Sequence, residues 1–250
     1  MTRQFFPVLF ITFAAPLLLA WSPPNHPVSN QPPASLPPLV THGSRALSEV
    51  ALTFDACPAI GYDAAVVRIL TETQTPATFF LSGRWMQTHV SATQALAAIQ
   101  FFELGEHSWS HADFSRLGLA QVDGEITRTE GLLTQLTGRP GKLFRFPYGR
   151  YTPQALQEVY RLGLTPIQWD VVSADPVPLM SAKALTRRVL AKAQGGSIVI
   201  MHVNGRGWHT AEALPGIIAG LRERGLRLVT VSQLLADSAG VDRDARRERD

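Results

Sequence analysis

The strongest constraint on the fold is a regular alternation of short apolar segments with longer amphipathic segments through the middle of the chain. The short segments run over four to six positions and are often β-branched or aromatic, which is typical of strands buried on both faces of a parallel sheet. Seven such strands are predicted, at residues 50–55, 77–81, 101–105, 143–146, 165–170, 197–202 and 227–231.

Helical segments lie between these strands, and glycine or proline marks many of the joins. The predicted helices include residues 63–73, 121–136, 153–162, 181–193 and 210–224. Strand–helix units in series predict the α/β class, with about seven parallel strands in a single domain at residues 45–238. The pattern does not separate a closed barrel from an open doubly wound sheet. Both folds place their chemistry at the carboxyl ends of the strands.

The two ends of the chain differ from this central part. Arg3 precedes an apolar run at residues 5–21, so residues 1–22 are predicted to be a signal peptide or an N-terminal membrane anchor. Residues 23–44 are predicted to be a proline-rich linker, and residues 239–250 a charged tail that is frayed or disordered. We therefore expect an exported protein of the periplasm, the cell envelope or the extracellular space, with membrane anchoring through residues 5–21 as an alternative to cleavage.

Composition excludes several classes of protein. The 250 residues include 23 basic and 20 acidic side chains, and no block of lysine and arginine suggests binding to nucleic acid. Cys57 is the single cysteine, which excludes an internal disulfide and a zinc site built from several cysteines. A hydrophobic share of 45% is enough for a sizeable core, and we expect a globular monomer.

Ionisable residues follow most of the predicted strands. They are Asp55, His107 with His111, Arg145, Asp170 with Asp175, and His202. The carboxyl ends of parallel strands meet at one edge of the sheet, so these side chains are expected to lie together. A folded protein has little need of so many ionisable groups there for stability. We therefore predict an acid–base or metal site at this edge.

His107 and His111 come from the segment EHSWSH. Their spacing places both rings on one face if the segment is helical. Imidazole nitrogen is a good ligand for a borderline divalent metal, and two such ligands leave positions open for water or carboxylate. From the spacing alone, two polar histidines in a loop remain an equal alternative.

Five motifs together resemble those of the NodB-type polysaccharide deacetylases, carbohydrate esterase family 4. They are Thr53-Phe54-Asp55, the segment ATFFLSGRW at 77–85, H-S-x-x-H from His107 to His111, R-x-P-Y from Arg145 to Tyr148, and IVIMH ending at His202. The resemblance covers residues 45 to 235 and implies an irregular (β/α) barrel with seven strands. It also implies removal of acetyl groups from an N-acetylated polysaccharide, either peptidoglycan or a chitin-like glycan. The implied cofactor is a divalent metal, zinc first, with cobalt, nickel or manganese as alternatives.

The resemblance assigns roles to matching residues. Asp55 matches the general base, which takes a proton from a water molecule that the metal activates. His107 and His111 match the two histidine ligands of the metal. Arg145 matches the arginine that orients the base, and its charge would keep Asp55 ionised. The backbone N–H of Tyr148 matches the donor of the oxyanion hole.

The resemblance also implies an acid for the leaving amine, and His202 matches it. Its carboxylate partner is expected from the segment 169–175, where the match to the family pattern is partial. Asp175 is the predicted partner and Asp170 the alternative. Either aspartate also fits a local role, Asp170 as a strand-end cap and Asp175 in an Asp-Pro turn.

One position departs from the family pattern. Ala56 stands where the family has a second aspartate, which is its third metal ligand, and alanine offers no donor atom. Either two histidines and extra water hold the metal, or a substitute ligand reaches in. Asp63 is the named substitute, although the N-cap of the following helix is the favoured role for an aspartate at this position. The Cys57 thiolate is a second alternative, against an ordinary buried thiol. Loss of the metal altogether would leave a catalytically impaired glycan-binding domain of the same fold.

The glycine-rich segment HVNGRGWHT follows His202. We predict that Asn204, Arg206 and Trp208 line the mouth of the site, with Trp208 stacked on a sugar ring. Arg206 and Asn204 would bond hydroxyl or acetyl oxygens of the substrate. The alternative is a solvent loop in which Thr210 is the helix N-cap.

Overall fold

The computed structural model describes residues 38–58 and 61–247, so the predicted leader and most of the predicted linker lie outside the described residues. All paired strands are parallel, and the sheet order is β5-β4-β3-β2-β1-β7-β6, with β8 paired to the beginning of β1. The sheet curls into the irregular (β/α) barrel that the resemblance implied. Its strands are β1 (Glu49–Ala56), β2 (Ala77–Leu81), β3 (Phe102–Glu106), β4 (Leu143–Phe144), β5 (Thr165–Pro166), β6 (Val171–Val172), β7 (Ser197–His202) and β8 (Arg227–Val229).

Helices cover the outside of this sheet, and the five predicted ones are all present with ends shifted by at most two residues. The helices are α1 (Ala64–Glu72), α2 (Gly83–Thr88), α3 (Val90–Ala98), α4 (Leu119–Thr137), α5 (Pro153–Arg161), α6 (Ala182–Lys192), α7 (Thr210–Glu223) and α8 (Val231–Arg247). Three of these, α2, α3 and α8, were not predicted. Among the described helices, none is long and apolar enough to cross a membrane.

The predicted frayed tail is wrong for most of its length, because α8 continues past Ala239 to Arg247. Val231 and Leu234, in the first turn of α8, are fully buried in a cluster with Ala51 and Phe80. Once a first turn is fixed by packing, each further residue adds a backbone hydrogen bond at low cost. The charged sequence therefore extends a helix that tertiary contacts have started.

The linker was predicted to extend to residue 44, but pairing with the barrel strands begins before that residue. Val40 forms a parallel bridge to Ile167, and His42 forms an antiparallel bridge to Ser197. The N–H of Val40 donates to the carbonyl of Pro166 at 3.1 Å, and the N–H of Gly43 donates to the carbonyl of Gly196 at 2.8 Å. The described residues from 38 to 44 thus belong to the barrel domain and link strand ends on two sides of it.

The alternation of side chains along β1 determines which of them face the interior of the barrel. Leu52, Phe54 and Ala56 are fully buried in the apolar cluster between the sheet and its helices. The intervening residues Thr53 and Asp55 point to the other face, into the barrel, because successive side chains of a strand alternate. Phe54 stacks on a phenylalanine of β2 with ring centroids 5.4 Å apart, and truncating such a buried ring typically costs ~3–5 kcal/mol.

Candidate active site

Most of the predicted strand-end residues meet in a cleft of about 220 Å³ at the carboxyl ends of the strands. Arg145 lies buried beside the cleft and reaches it through Asp55, whereas Asp170 lies elsewhere. The cleft is lined by Asp55, Cys57, His107, His111, Tyr148, Trp169, Val172, Ser173, Asp175, Pro176, Ile200, His202 and Arg206.

Asp55 is paired with a fully buried arginine. Nη1 of Arg145 donates to Oδ1 of Asp55 at 2.7 Å and to Oγ1 of Thr53 at 2.8 Å. Its Nη2 donates to the carbonyl of Gln168 at 3.1 Å, and its guanidinium lies 3.9 Å from the centroid of the Phe80 ring. Burial acts to raise the pKa of Asp55, but the charge and hydrogen bond of Arg145 outweigh it and lower that pKa. Asp55 is therefore an ionised carboxylate at neutral pH.

His107 is held in one tautomer. Its Nδ1 lies 2.7 Å from the backbone carbonyl oxygen of Arg145, and a carbonyl only accepts, so Nδ1 carries the proton. The lone pair of Nε2 then faces the cleft, 3.6 Å from Oδ2 of Asp55. Burial lowers the pKa of His107, which keeps the ring neutral. This arrangement, with Nδ1–H on a carbonyl and Nε2 free, is that of a metal-ligating histidine.

His111 reaches the same cleft by a turn and not by a helix. Ser108 and His111 adopt the left-handed region, with φ of 63° and 61°, and the N–H of His111 donates to Oγ of Ser108 at 3.0 Å. Ser110 anchors the turn to α4 through two hydrogen bonds of 2.7 Å to the Glu125 carboxylate. The rings of His107 and His111 are 4.8 Å apart, and burial lowers the pKa of His111 to about 3. The helical spacing argument is thus wrong, although the two imidazoles do lie together.

Cys57 completes a cluster of donor atoms with these histidines. Its Sγ and one ring nitrogen each of His107 and His111 all lie within 4.8 Å of one another. Among the described residues no other group of three histidine, cysteine or acidic side chains is so closely spaced. Burial, with the charge of Asp55, raises the pKa of the Cys57 thiol to about 12.

Asp63, the predicted third ligand, lies outside this cluster. Its Oδ1 accepts a hydrogen bond from the N–H of Ala65 at 3.0 Å, which makes it the N-cap of α1. The capping role, which the sequence left open, therefore accounts for this aspartate. A carboxylate held by a helix N-terminus is not directed at the two histidines.

His202 ends β7 and is supported by Asp175. Nδ1 of His202 lies 3.0 Å from Oδ1 of Asp175, and the backbone N–H of His202 donates to Oδ2 at 2.7 Å. Hydroxyl groups of Ser173 and Thr210 donate to the same carboxylate at 2.9 and 2.7 Å. Burial acts to lower the pKa of His202, but the hydrogen bond and charge of Asp175 outweigh it and raise that pKa.

Asp170 was the alternative partner of His202, and the structure places it at the opposite end of β7. It pairs with Nη2 of Arg45 at 2.8 Å and accepts from Oγ of Ser197 at 2.9 Å and the N–H of Ile198 at 2.8 Å. These contacts account for its carboxylate in full. Position in the fold therefore excludes Asp170 as the partner of His202 and leaves Asp175.

The loop after β7 matches its prediction only in part. Arg206 lines the cleft, but Asn204 is fully buried and its Nδ2 donates to the carbonyl of Cys57 at 3.1 Å, so it does not face substrate. Trp208 is exposed and is absent from the cleft lining. Gly207 packs so tightly on the Asp175 carboxylate that a Cβ would lie 2.7 Å from Oδ2.

Aromatic surface at the cleft comes from other residues. Tyr148 sits in the turn after Pro147 with φ of 58°, is 58% exposed, and its ring centroid lies 4.5 Å from that of His111. Trp169 is half-buried and also lines the cleft. Sequence reasoning did not name Trp169, Ser173 or Thr210 as site residues. The available signal for Trp169 was its position near the end of a predicted strand. For Ser173 it was its nearness to Asp175 in sequence.

Known proteins with similar sequences include polysaccharide deacetylases. The sequence model of the polysaccharide deacetylase family matches residues 43–167, half of the chain. The chain is 29% identical over 194 residues to a peptidoglycan-N-acetylglucosamine deacetylase of Bacillus cereus, covering 76% of this chain and 70% of that protein. It is also 29% identical over 173 residues to the uncharacterized protein YlxY of Bacillus subtilis. That match covers 68% of this chain but only 52% of YlxY, so the chain spans about half the length of that relative.

Solved structures show the same fold. The Bc1960 peptidoglycan N-acetylglucosamine deacetylase, crystallised with a naphthalenyl N-hydroxybenzamide, has a TM-score of 0.75 at 27% identity, covering 79% of this chain and 92% of that one. A mutant of BA3943 of Bacillus anthracis, described as a carbohydrate esterase family 4 pseudoenzyme with restored enzymatic activity, has a TM-score of 0.73 at 25% identity, covering 79% and 71%. The chain therefore belongs to the polysaccharide deacetylase family.

Proposed function

We propose that this protein hydrolyses acetyl groups of an N-acetylated polysaccharide, with peptidoglycan or a chitin-like glycan as substrate. The observation that carries the proposal is that two titratable groups in one cleft have pKa values shifted in opposite directions. The pKa of Asp55 is lowered and that of His202 is raised. Environments that push two pKa values apart in this way assign a base and an acid.

The family implies a divalent metal, and the residues at the cleft fit one. His107 and His111 are neutral, close together, and His107 presents Nε2 with a free lone pair. These two side chains would hold the ion, with zinc first and cobalt, nickel or manganese as alternatives. When bound, such an ion lowers the pKa of water and polarises an acetyl carbonyl.

The residues of the cleft then divide the proton transfers between them. Oδ2 of Asp55 faces the cleft while Oδ1 is held by Arg145, so Oδ2 accepts the proton of the attacking water. Nδ1 of His202 is held by Asp175. The Nε2–H of the protonated His202 ring therefore donates a proton to the departing amine. An amine without that proton is a very poor leaving group. The N–H of Tyr148, on the exposed turn beside His111, is the proposed oxyanion donor, a contact worth ~2.7–4 kcal/mol in other enzymes.

The size of the cleft supports a polymeric substrate that enters by one acetamido group. A volume of about 220 Å³ is below the ~300–1,000 Å³ that encloses most small ligands. A sugar chain would therefore lie across the mouth, where Tyr148 and Trp169 offer aromatic faces. Such faces favour the apolar side of a pyranose ring.

A second function is favoured by Ala56, which provides no metal ligand. A domain that has lost its metal would bind glycan without turnover, and the chain is similar to the mutant BA3943 structure, whose parent is described as a pseudoenzyme. The two functions differ in one measurement. We expect the full-length protein to release acetate from chitooligosaccharides or purified peptidoglycan with added Zn²⁺ or Co²⁺, and not with a chelator. Glycan binding without acetate release under any metal would replace the deacetylase by the binding domain.

Export is a separate proposal, supported by the charged start and apolar run at residues 1–22. A fusion of residues 1–44 to a reporter enzyme that is active only outside the cytoplasm tests it. We expect reporter activity, and activity equal to that of a fusion lacking residues 1–22 would contradict export.

A further inference from the structure

We infer that Cys57 is the third protein ligand of the metal, so that the site is a cysteine–histidine–histidine centre. The inference rests on the proposed function only in taking this cleft as a metal site. It answers the question raised by Ala56, namely which donor replaces the missing carboxylate. Three observations support it: the presence of Cys57 in the cleft lining, the fixed position of its backbone, and the spacing of the donor atoms.

Cys57 lines the cleft, and the Ala56 side chain does not reach it. Ala56 is fully buried in the apolar cluster that also holds Phe54, on the helix side of the sheet. Asp55 lies on the opposite face of β1, and Cys57 is the first residue after the strand. Both Asp55 and Cys57 line the cleft, and Ala56 does not. Ala56 carries no donor atom, so in this chain the donor beside Asp55 is the Cys57 thiol.

Three hydrogen bonds from two separate segments fix this end of β1. The carbonyl of Asp55 accepts from the N–H of Val203 at 3.1 Å, and the carbonyl of Ala56 accepts from the N–H of Ser82 at 3.0 Å. The carbonyl of Cys57 accepts from Nδ2 of the fully buried Asn204 at 3.1 Å. Asn204 is thus a positioning residue for the thiol, which explains a buried amide in a glycine-rich loop.

The spacing of the three donors suits a tetrahedral ion after a small contraction. With metal–sulfur bonds of ~2.3 Å and metal–nitrogen bonds of ~2.0–2.1 Å, donor atoms of a tetrahedral zinc site lie roughly 3.3–3.6 Å apart. The donors of Cys57, His107 and His111 lie within 4.8 Å of one another. Closing the largest separation needs a movement of about 1.2–1.5 Å shared by two side chains, which modest rotation about χ1 and χ2 provides.

The chemistry of sulfur also suits the ion. His107 keeps a proton on Nδ1 toward a carbonyl and is an uncharged ligand, so a metal-bound thiolate would bring the negative charge that the missing carboxylate would have brought; the metal must displace the proton of a thiol whose pKa is raised. The thiol proton leaves to solvent as the sulfur–metal bond forms, so charge and atoms balance. A soft sulfur ligand selects Zn²⁺ or Co²⁺ over Mg²⁺, Ca²⁺ and Mn²⁺. Catalytic zinc sites with cysteine and histidine ligands have precedent in alcohol dehydrogenase.

Cobalt spectroscopy tests this on the full-length protein, because Cys57 is its single cysteine and any thiolate-to-cobalt charge-transfer band must come from it. We expect Co²⁺ to produce that near-ultraviolet band in the wild type. Cys57→Ser and Cys57→Ala should lack the band and bind Co²⁺ more weakly, by more than the ~10–100-fold that loss of an outer-shell partner costs. His111→Gln should also weaken binding. Thermal unfolding of each apo variant checks that the fold persists.

The outcomes separate this inference from the proposed function. Co²⁺ binding without the charge-transfer band, together with acetate release, would overturn the cysteine ligand and leave the deacetylase standing. The band without acetate release from any glycan would support the ligand and overturn the deacetylase. Failure of the wild type to bind Co²⁺ or Zn²⁺ in calorimetry, even at millimolar concentration, would overturn the metal centre, and acetate release in that case would point to metal-free chemistry.

Discussion

Asp175→Asn removes one charge from the support of His202 and leaves the shape of the side chain unchanged. The Asp175 carboxylate is 1% exposed and accepts from the His202 backbone N–H, from the Ser173 and Thr210 hydroxyls, and from Nδ1 of His202. A hydroxyl can turn to accept a hydrogen bond, but a backbone N–H cannot. The amide oxygen should therefore face the backbone N–H, leaving the amide N–H₂ to face His202.

This orientation changes the chemistry of His202. An N–H donor beside Nδ1 makes that nitrogen an acceptor, which favours the neutral ring, whereas the carboxylate favours the cation. Loss of the acid should slow amide hydrolysis by ~10²–10⁴-fold. Imperfect pairing of the buried amide should cost about 1–3 kcal/mol of stability. In a chain of this size that lowers the Tm by roughly 2–12 °C.

The pH dependence follows from the direction of the shift. Asp175 raises the pKa of His202, so the wild type keeps its acid protonated, and active, until the pH passes that raised pKa. Without the carboxylate the pKa falls, and the alkaline limb of kcat against pH should move to lower pH. Acetate release from chitooligosaccharides across pH 5–9 measures this, with aryl acetate hydrolysis as the comparison. An aryl oxide departs without a proton, so ester turnover should fall less than about tenfold.

An equal loss on the amide and on the aryl ester would refute this reasoning, because it would show that Asp175 acts on something other than leaving-group protonation. Ser173→Ala is the matched control. It removes one donor to the same carboxylate but keeps the charge, so the alkaline limb should stay close to its wild-type position. A shift in the control as large as in Asp175→Asn would also contradict the charge argument.

Three further predictions concern β1 and the residue that follows it. Asp55→Asn should reduce acetate release by ~10²–10⁴-fold, and an unchanged rate would show that Asp55 is not the base. It should also lower the free energy of unfolding by up to ~3–5 kcal/mol, because Arg145 stays buried without its counter-charge. Ala56→Asp should tighten Co²⁺ binding, because it restores the carboxylate that the family has at this position, and should destabilise the apo protein, because its Cβ lies in the apolar cluster. Unchanged Co²⁺ affinity in calorimetry would mean that a carboxylate there does not reach the cleft. On binding Zn²⁺ at pH 7, the wild type should release about one more proton than Cys57→Ala, as measured by calorimetry in two buffers of different ionisation enthalpy. Equal numbers of released protons would contradict a thiolate ligand.

The fold class was readable from local sequence because buried parallel strands must be apolar on both faces. Residues 77–81 and 197–202 were predicted as strands with the ends that the structure has. The two residues of β6 and the bridges of Val40 and His42 were not predicted. Such short pairings are stabilised by contacts with distant segments, and a two-residue stretch carries no period to detect.

The chemistry at the strand ends was also readable, because ionisable side chains after apolar strands have few structural reasons to be there. Asp55, His107, His111, Arg145 and His202 were all named from the sequence, and the structure brings them to one cleft or to its wall. The resemblance to a family then assigned their roles. Order along the chain was enough for this, since every parallel strand delivers its carboxyl end to the same edge.

Only the tertiary structure decided between residues of the same type. Asp175 and Asp170 are five positions apart, yet one supports His202 and the other pairs with Arg45 at the far end of β7. Asp63 caps a helix, while Cys57 faces the histidines. The physical reason is that a donor acts only where its side chain points. That direction depends on strand parity, on the route of loops between distant segments, and on which buried group already holds the side chain.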